Sequence, residues 1–292
     1  VSTSVQQFRI WYSTRPEALR LLITVNVCFY VLWALILVHL AVPRTFVMDY
    51  LALDASWSRL WQAPWQLVTY SFLHIGLGIG GLLHIGFNML WLYWIGQDTE
   101  DLYGPETLLS QYFLSAIGGA LLCLLIYGLT DTQPVRVYGA SGAVLGVMTA
   151  LAIRQPQKRI RLFLFGSIRV IHLVIAFLIL DLLTLAGGRT AIPAHFGGAL
   201  TGALYAWLEA RSVNLSSWTS FAVSRGRRPR GGGFFARLEQ RLEKAPKRKS
   251  DTSHPIESEE ELDRILDKIG EHGLESLTPR ERKALERFSR SR

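Results

Sequence analysis

Three short stretches of this sequence carry groups that can do chemistry together. Ser141 sits in Gly139-Ala140-Ser141-Gly142, His195 in Ala194-His195-Phe196-Gly197-Gly198, and His84 stands four residues before Asn88. A serine hydroxyl is a weak nucleophile until a base accepts its proton, and an imidazole within reach can be that base. A hydroxyl so activated attacks a carbonyl carbon, and the oxyanion that forms needs hydrogen-bond donors. His84 and Asn88, at i and i+4, share a helix face and offer two. The N–H of Ser141 offers a third if a helix begins there, because the first N–H groups of a helix are unpaired and lie at the positive end of its dipole. No obvious carboxylate presents itself to orient His195. Asp181 lies on another apolar segment with no positional argument in its favour, so the residues read as a Ser–His dyad rather than a triad.

The elements that must position these groups are apolar. Half of the 292 residues are hydrophobic and only 18% are charged, an excess of apolar sequence that calls for an apolar solvent. Leu21 to Val42 is uncharged and long enough to cross roughly 30 Å of hydrocarbon. Further segments run over about 81–97, 106–128, 141–154, 168–186 and 194–210. The net charge of +8 lies mostly outside them. Arg9, Arg15 and Arg20 precede the first segment, Arg154, Lys158, Arg159 and Arg161 follow the fourth, and Arg225, Arg227, Arg228 and Arg230 follow the sixth. All three clusters fall on one side only if the chain crosses six times with both termini cytoplasmic. The expectation is an all-α polytopic membrane protein of six helices, with the lipid bilayer as its surroundings and no nucleic-acid partner.

Depth follows from the helical rise. Ser141 lies roughly 20 Å above Arg154, His195 roughly 21 Å above Glu209 and His84 roughly 21 Å above Asp98. Three separate helices thus bring polar groups to one level, about 10 Å beneath the outer surface. Starting the fourth helix at Ser141 leaves Asp131 to Tyr138 to enter the membrane as irregular backbone, which is tolerated only inside protein or along a water-filled cavity. Gly142 and Gly146 on the fourth segment, and Ala194, Gly198 and Gly202 on the sixth, form small-residue stripes that let two helices approach closely.

The rest of the chain is less informative. Trp57, Trp61 and Trp65, at i, i+4 and i+8, suit a helical piece in the headgroup zone. Cys28 and Cys123 offer neither a disulfide framework nor a metal motif, and His39 and His172 lack a metal-binding spacing, so neither a metal nor a cofactor is expected. The composition changes after Arg211. The organisation read from it is a membrane domain over 1–210, a basic flexible linker over 211–258 and a soluble helical tail over 259–292. In that tail Leu262, Ile265, Leu266 and Ile269 recur at helical spacing, and Thr278-Pro279-Arg280-Glu281 resembles a fresh helix start.

Gly139-Ala140-Ser141-Gly142, His84-Ile85-Gly86-Phe87-Asn88, and Ala194-His195 followed by Gly198 and Gly202 closely resemble the rhomboid intramembrane serine proteases. Pro64-Trp65-Gln66-Leu67-Val68-Thr69-Tyr70, leading to Phe72-Leu73-His74, is similar to the approach to the second rhomboid helix. The resemblance covers roughly residues 15–210. It implies Ser141 as nucleophile, His195 as base, and His84, Asn88 and the Ser141 N–H as the oxyanion site. It also implies cleavage of membrane proteins near the outer face, at transmembrane segments weakened as helices. The tail resembles short tails of some bacterial rhomboids, which makes a bacterial cytoplasmic membrane the expected location. Departures are the ten-residue interval from His74 to His84, Gln66 where arginine is common, and Leu145 where an aromatic often follows the serine. The alternative reading is a non-catalytic relative that binds membrane proteins as an adaptor; such relatives usually lack the serine or the histidine.

Overall fold

The computed structural model describes residues 12, 16–129, 135–162, 166–183, 191–223, 268 and 278. The expected linker beyond residue 223 and the helical tail, apart from Lys268 and Thr278, lie outside the described residues. The first long helix is α1 (Glu17–Val31), continued in wider π turns by Leu32–Leu37. Helix α2 (Arg44–Leu51), strand β1 (Leu53–Asp54), helix α3 (Trp57–Gln62) and helix α4 (Gln66–Thr69) follow, the last running into a 3-10 turn over Tyr70–Phe72. Helices α5 (Gly78–Tyr103) and α6 (Pro105–Tyr127) come next, then strand β2 (Arg136–Val137) and helix α7 (Ser141–Arg154). A hairpin of β3 (Arg159–Leu162) and β4 (Gly166–Arg169) leads to helix α8 (Val170–Leu183) and helix α9 (Ile192–Glu209). The fold is mostly helical, though not wholly: β1 pairs with β2 and β3 with β4, each antiparallel.

Residues Glu17–Leu35, α5 and α6 are long and apolar enough to cross a membrane, with mean hydropathies of 1.9, 1.2 and 1.9, while α7 and α8 are shorter apolar helices. The break between α5 and α6 has a local cause. Gly104 takes φ +91°, a left-handed value that suits glycine, and Pro105 then fits the first helical position, where no N–H is needed.

Helix α9 lies between α6 and α7, and small residues set the spacing on both sides. A methyl group on Gly198 would collide with the carbonyl oxygen of Gly142, and one on Gly202 with that of Gly146. One on Gly142 would come within 2.7 Å of the Ala194 oxygen. Toward α6, a methyl on Gly197 would come within 2.5 Å of the Gly118 oxygen. Backbones that touch in this way trade side-chain bulk for close van der Waals contact, the main attraction available between helices in lipid.

Polar contacts fix the ends. Arg154 pairs with Glu209 at 2.6 Å and Lys158 with Asp98 at 2.6 Å, so the charged markers of three helices gather at one end of the bundle. The Glu100 carboxylate, 8% exposed, accepts hydrogen bonds from the Ala18 and Leu19 N–H groups at 3.1 and 2.8 Å, capping α1 from a neighbouring helix. At the other end the Trp33 indole N–H donates to the Ile75 carbonyl at 3.0 Å.

Three details differ from the sequence reading. Helix α3 stops at Gln62, ahead of Pro64, so Trp65 does not continue a face with Trp57 and Trp61; its indole N–H instead donates to the Tyr50 carbonyl at 2.8 Å. The residues just past Arg211 return to the bundle. Thr219 Oγ1 donates to the Glu106 carbonyl at 2.8 Å and the Trp218 indole to Ser110 Oγ at 3.1 Å, both on α6. The extra residues before His84 extend the start of α5 back to Gly78, and the chain at Gly76 lies against Gly81 so closely that a methyl on Gly81 would strike the Gly76 oxygen.

Gly202→Leu overpacks the α7–α9 contact and should cost about 1–3 kcal/mol or more. Thermal unfolding in detergent should show a clearly lowered midpoint for this variant. Gly86→Leu, at a position with open space around it, should leave the midpoint nearly unchanged.

Candidate active site

Ser141 is the first residue of α7, and the backbone leading to it is held from several directions. Ala55 N–H donates to the Val135 carbonyl at 3.0 Å, extending the β1–β2 pair, and Gly139 N–H donates to the Tyr70 carbonyl at 2.9 Å. Tyr70 is itself fixed, its hydroxyl donating to the Ala116 carbonyl at 2.7 Å. Gln66, where the resemblance leads one to expect arginine, accepts from Asp54 N–H at 3.2 Å and donates to the Asp49 carbonyl at 2.8 Å. A neutral amide bridges the two backbone stretches. The described part of the approach to Ser141 is thus extended and irregular backbone, half-buried at Val135, Arg136 and Tyr138 and buried at Val137, Gly139 and Ala140.

Ser141 Oγ and His195 Nε2 are 2.6 Å apart. The other ring nitrogen, Nδ1, lies 2.6 Å from Asp181 Oδ2 on α8. Passing over Asp181 is therefore a correction to the sequence reading: the carboxylate thought to be without positional support touches the imidazole. The arrangement sets the tautomer. An ionised carboxylate only accepts, so Nδ1–H donates to Asp181 and Nε2 is left with a lone pair for the Ser141 O–H. The Asp181 side chain is 10% exposed and that of His195 20%.

His84 and Asn88 face the same place from α5. A methyl on Gly139 would sit 3.2 Å from His84 Nε2 and 3.8 Å from Ser141 Oγ, so the absent side chain at Gly139 leaves the space between those two atoms. Gly139 holds φ +122°, so glycine is required there for conformation as well as for room. The Asn88 amide uses one N–H to donate to the His84 carbonyl at 2.9 Å, and its second N–H remains for another acceptor. These groups line a cavity of about 880 Å³ between α5, α7 and α8, bounded on one side by Trp91 and Phe177, whose rings meet edge to face at 5.2 Å. Leu145, one turn after Ser141, also lines it, and no ring stacks on His195 from that position. Among the described residues no group of three or more His, Cys, Asp and Glu could hold a metal ion.

His74, ten residues before His84, stands behind the site. Its ring meets that of His84 edge to face at 5.1 Å, Nδ1 is 3.4 Å from the Phe72 carbonyl, and the residue is 1% exposed. Burial, reinforced by the neighbouring His84 and opposed by the Phe72 carbonyl, lowers its pKa from 6.5 to about 4. The fold therefore keeps His74 neutral over a range in which the unfolded chain binds a proton. Its contribution to stability is complete above pH 6.5 and is lost as pH falls toward 4. The thermal midpoint of the wild type should fall clearly across that window. The drop should be visibly shallower in His74→Gln, as followed by unfolding scans at several pH values.

A family profile described as Rhomboid domain matches residues 62–212, just over half of the chain, and one described as a family of unknown function (DUF6576) matches residues 254–291. The chain is 29% identical over 190 residues to Rhomboid protein 1, mitochondrial, of Saccharomyces cerevisiae, covering 59% of this chain and 55% of that one. It is 34% identical over 146 residues to RHOMBOID-like protein 5 of Arabidopsis thaliana, covering 47% and 41%. It is 26% identical over 210 residues to Rhomboid protease GlpG of Yersinia pestis, covering 71% and 69%. The chain spans about half the length of the yeast and plant relatives it matches. With the apolar helices of the bundle and a domain match centred on the Ser141 and His195 helices, this chain is an integral membrane protein of the rhomboid family.

Proposed function

We propose that this protein is a serine-type intramembrane endopeptidase in which Ser141 is the nucleophile and His195 the general base. The 2.6 Å contact between Ser141 Oγ and His195 Nε2, at the edge of a large cavity, is the observation that carries the reading. Relatives named as rhomboid proteases support it. As the Ser141 oxygen attacks a peptide carbonyl, its proton passes to Nε2. The carbonyl oxygen becomes an oxyanion between the Ser141 N–H, His84 and the free N–H of Asn88. In a water-poor site a single such donor contributes around 3 kcal/mol to transition-state stabilisation. The tetrahedral centre then collapses, Nε2–H protonates the leaving amine, and water hydrolyses the acyl-serine by the same steps.

The substrate is a membrane protein whose transmembrane segment is weakened as a helix, since a backbone carbonyl inside an intact helix is shielded by its own hydrogen bond. In this reading helices α1 and α5–α9 serve as six membrane crossings, and the positions of the arginine clusters support a cytoplasmic side for both termini. On the same reading the ion pairs Lys158–Asp98 and Arg154–Glu209 lie toward that side and Ser141 toward the opposite face, which the positions of Arg154 and Ser141 at opposite ends of α7 support. The relatives include mitochondrial and bacterial proteins, so a bacterial cytoplasmic membrane rests on the likeness of the tail alone.

Co-expression with a single-span reporter tests the reading. The wild type should cut the reporter, and Ser141→Ala and His195→Ala should each abolish cutting while folding normally. Asn88→Ala should slow it roughly tenfold or more. Cleavage that persists in Ser141→Ala would remove Ser141 from the mechanism. Silence from the wild type across several reporters would favour the adaptor role.

A further inference from the structure

The hydrogen-bonded chain at the active site is one member longer than a dyad, and we infer that Asp181 is a positioning residue that fixes the ring and tautomer of His195. The inference rests on the serine-protease reading of the same site.

The cost of placing a carboxylate there argues for a role. Asp181 is the only acidic residue of α8, whose sequence is otherwise almost wholly apolar, and a charge in such surroundings is expensive unless it is paired and hydrogen-bonded. The Asp181 residue is 7% exposed, and its Oδ2 is 2.6 Å from His195 Nδ1. With Nδ1–H directed at the carboxylate, Nε2 must be the acceptor, and Ser141 Oγ stands 2.6 Å from it. Without the carboxylate, the neutral imidazole can put its proton on either nitrogen, and the form with Nε2–H cannot take a proton from serine.

Orientation is the second need. Leu145, the side chain one turn beyond Ser141, presents neither a ring to stack on the imidazole nor an atom to bond to it. The carboxylate from α8 holds the ring by a directional bond instead. It also faces the imidazolium formed when the serine proton arrives, and it stabilises that charge without accepting the proton itself.

The test uses the purified full-length chain in detergent and compares wild type, Asp181→Asn and Asp181→Glu. The rate of covalent labelling of Ser141 by a small fluorophosphonate reports nucleophile activation with no transmembrane substrate to dock. Asp181→Asn should lower both that rate and the kcat for a transmembrane reporter by roughly 10²–10⁴-fold, with KM changed by less than about twofold. Asp181→Glu, which keeps a carboxylate, should recover at least about tenfold of the loss. A far-downfield proton resonance from His195 Nδ1–H should be present in the wild type and in inactive Ser141→Ala, and absent in Asp181→Asn. A wild-type labelling rate in Asp181→Asn would overturn the inference. So would a rise in KM alone, which would make Asp181 part of the substrate path only. If the wild type neither cleaves nor labels, the protease reading fails, while the Nδ1–H resonance still decides whether Asp181 holds the ring.

Discussion

The contact between α7 and α9 is the constraint on which the site depends. Gly142 and Gly146 on one helix meet Ala194, Gly198 and Gly202 on the other so closely that added methyl groups would strike backbone carbonyls. Ser141 precedes Gly142 and His195 follows Ala194, so the distance between hydroxyl and imidazole is set by the distance between the helices. Larger residues at these positions would push the axes apart, and a hydrogen bond of 2.6 Å has little length to spare. In lipid, where apolar surface gains little by meeting other apolar surface, this kind of fit carries much of the packing energy.

The rest of the bundle holds what the interlock cannot. The start of α7 has no side-chain cap, and the chain before it is secured by other means. The β1–β2 pair, the Tyr70 carbonyl and the Gln66 bridge secure it, all from the segment between α1 and α5. Glu100 ties the start of α1 to α5, and Trp33, in the π turns that continue α1, ties the other end to Ile75 ahead of α5. Each is a polar group satisfied inside the protein, as the absence of water demands.

Much of this was legible from residues alone because membrane helices are long, uniform and measured by a fixed rise. The starts of the apolar segments, the common level of Ser141, His195 and His84, and the small-residue stripes all follow from counting. Asp181 could have been found by the same count. It lies twelve residues, roughly 18 Å, beyond Arg169 at the charged end of α8, which is close to the level assigned to His195. The miss came from weighing only the three helices that run in one direction. Other features are set by tertiary contact and leave no period in the sequence: the two-residue β1–β2 ladder, the return of Trp218 and Thr219 to α6, and the role of Gln66. The end of α3 was legible in Pro64, but the regular spacing of the tryptophans outweighed it.

The three members of the hydrogen-bonded chain ride on different mountings. Ser141 and His195 belong to helices interlocked through their glycines, whereas Asp181 belongs to α8, which packs on α7 and α9 and reaches α5 across the cavity through the rings of Phe177 and Trp91. The bond from Asp181 therefore depends on where α8 sits, because a hydrogen bond of 2.6 Å tolerates only about 1 Å of extra length. The placement of one helix against two others sets whether the chain of hydrogen bonds has two members or three.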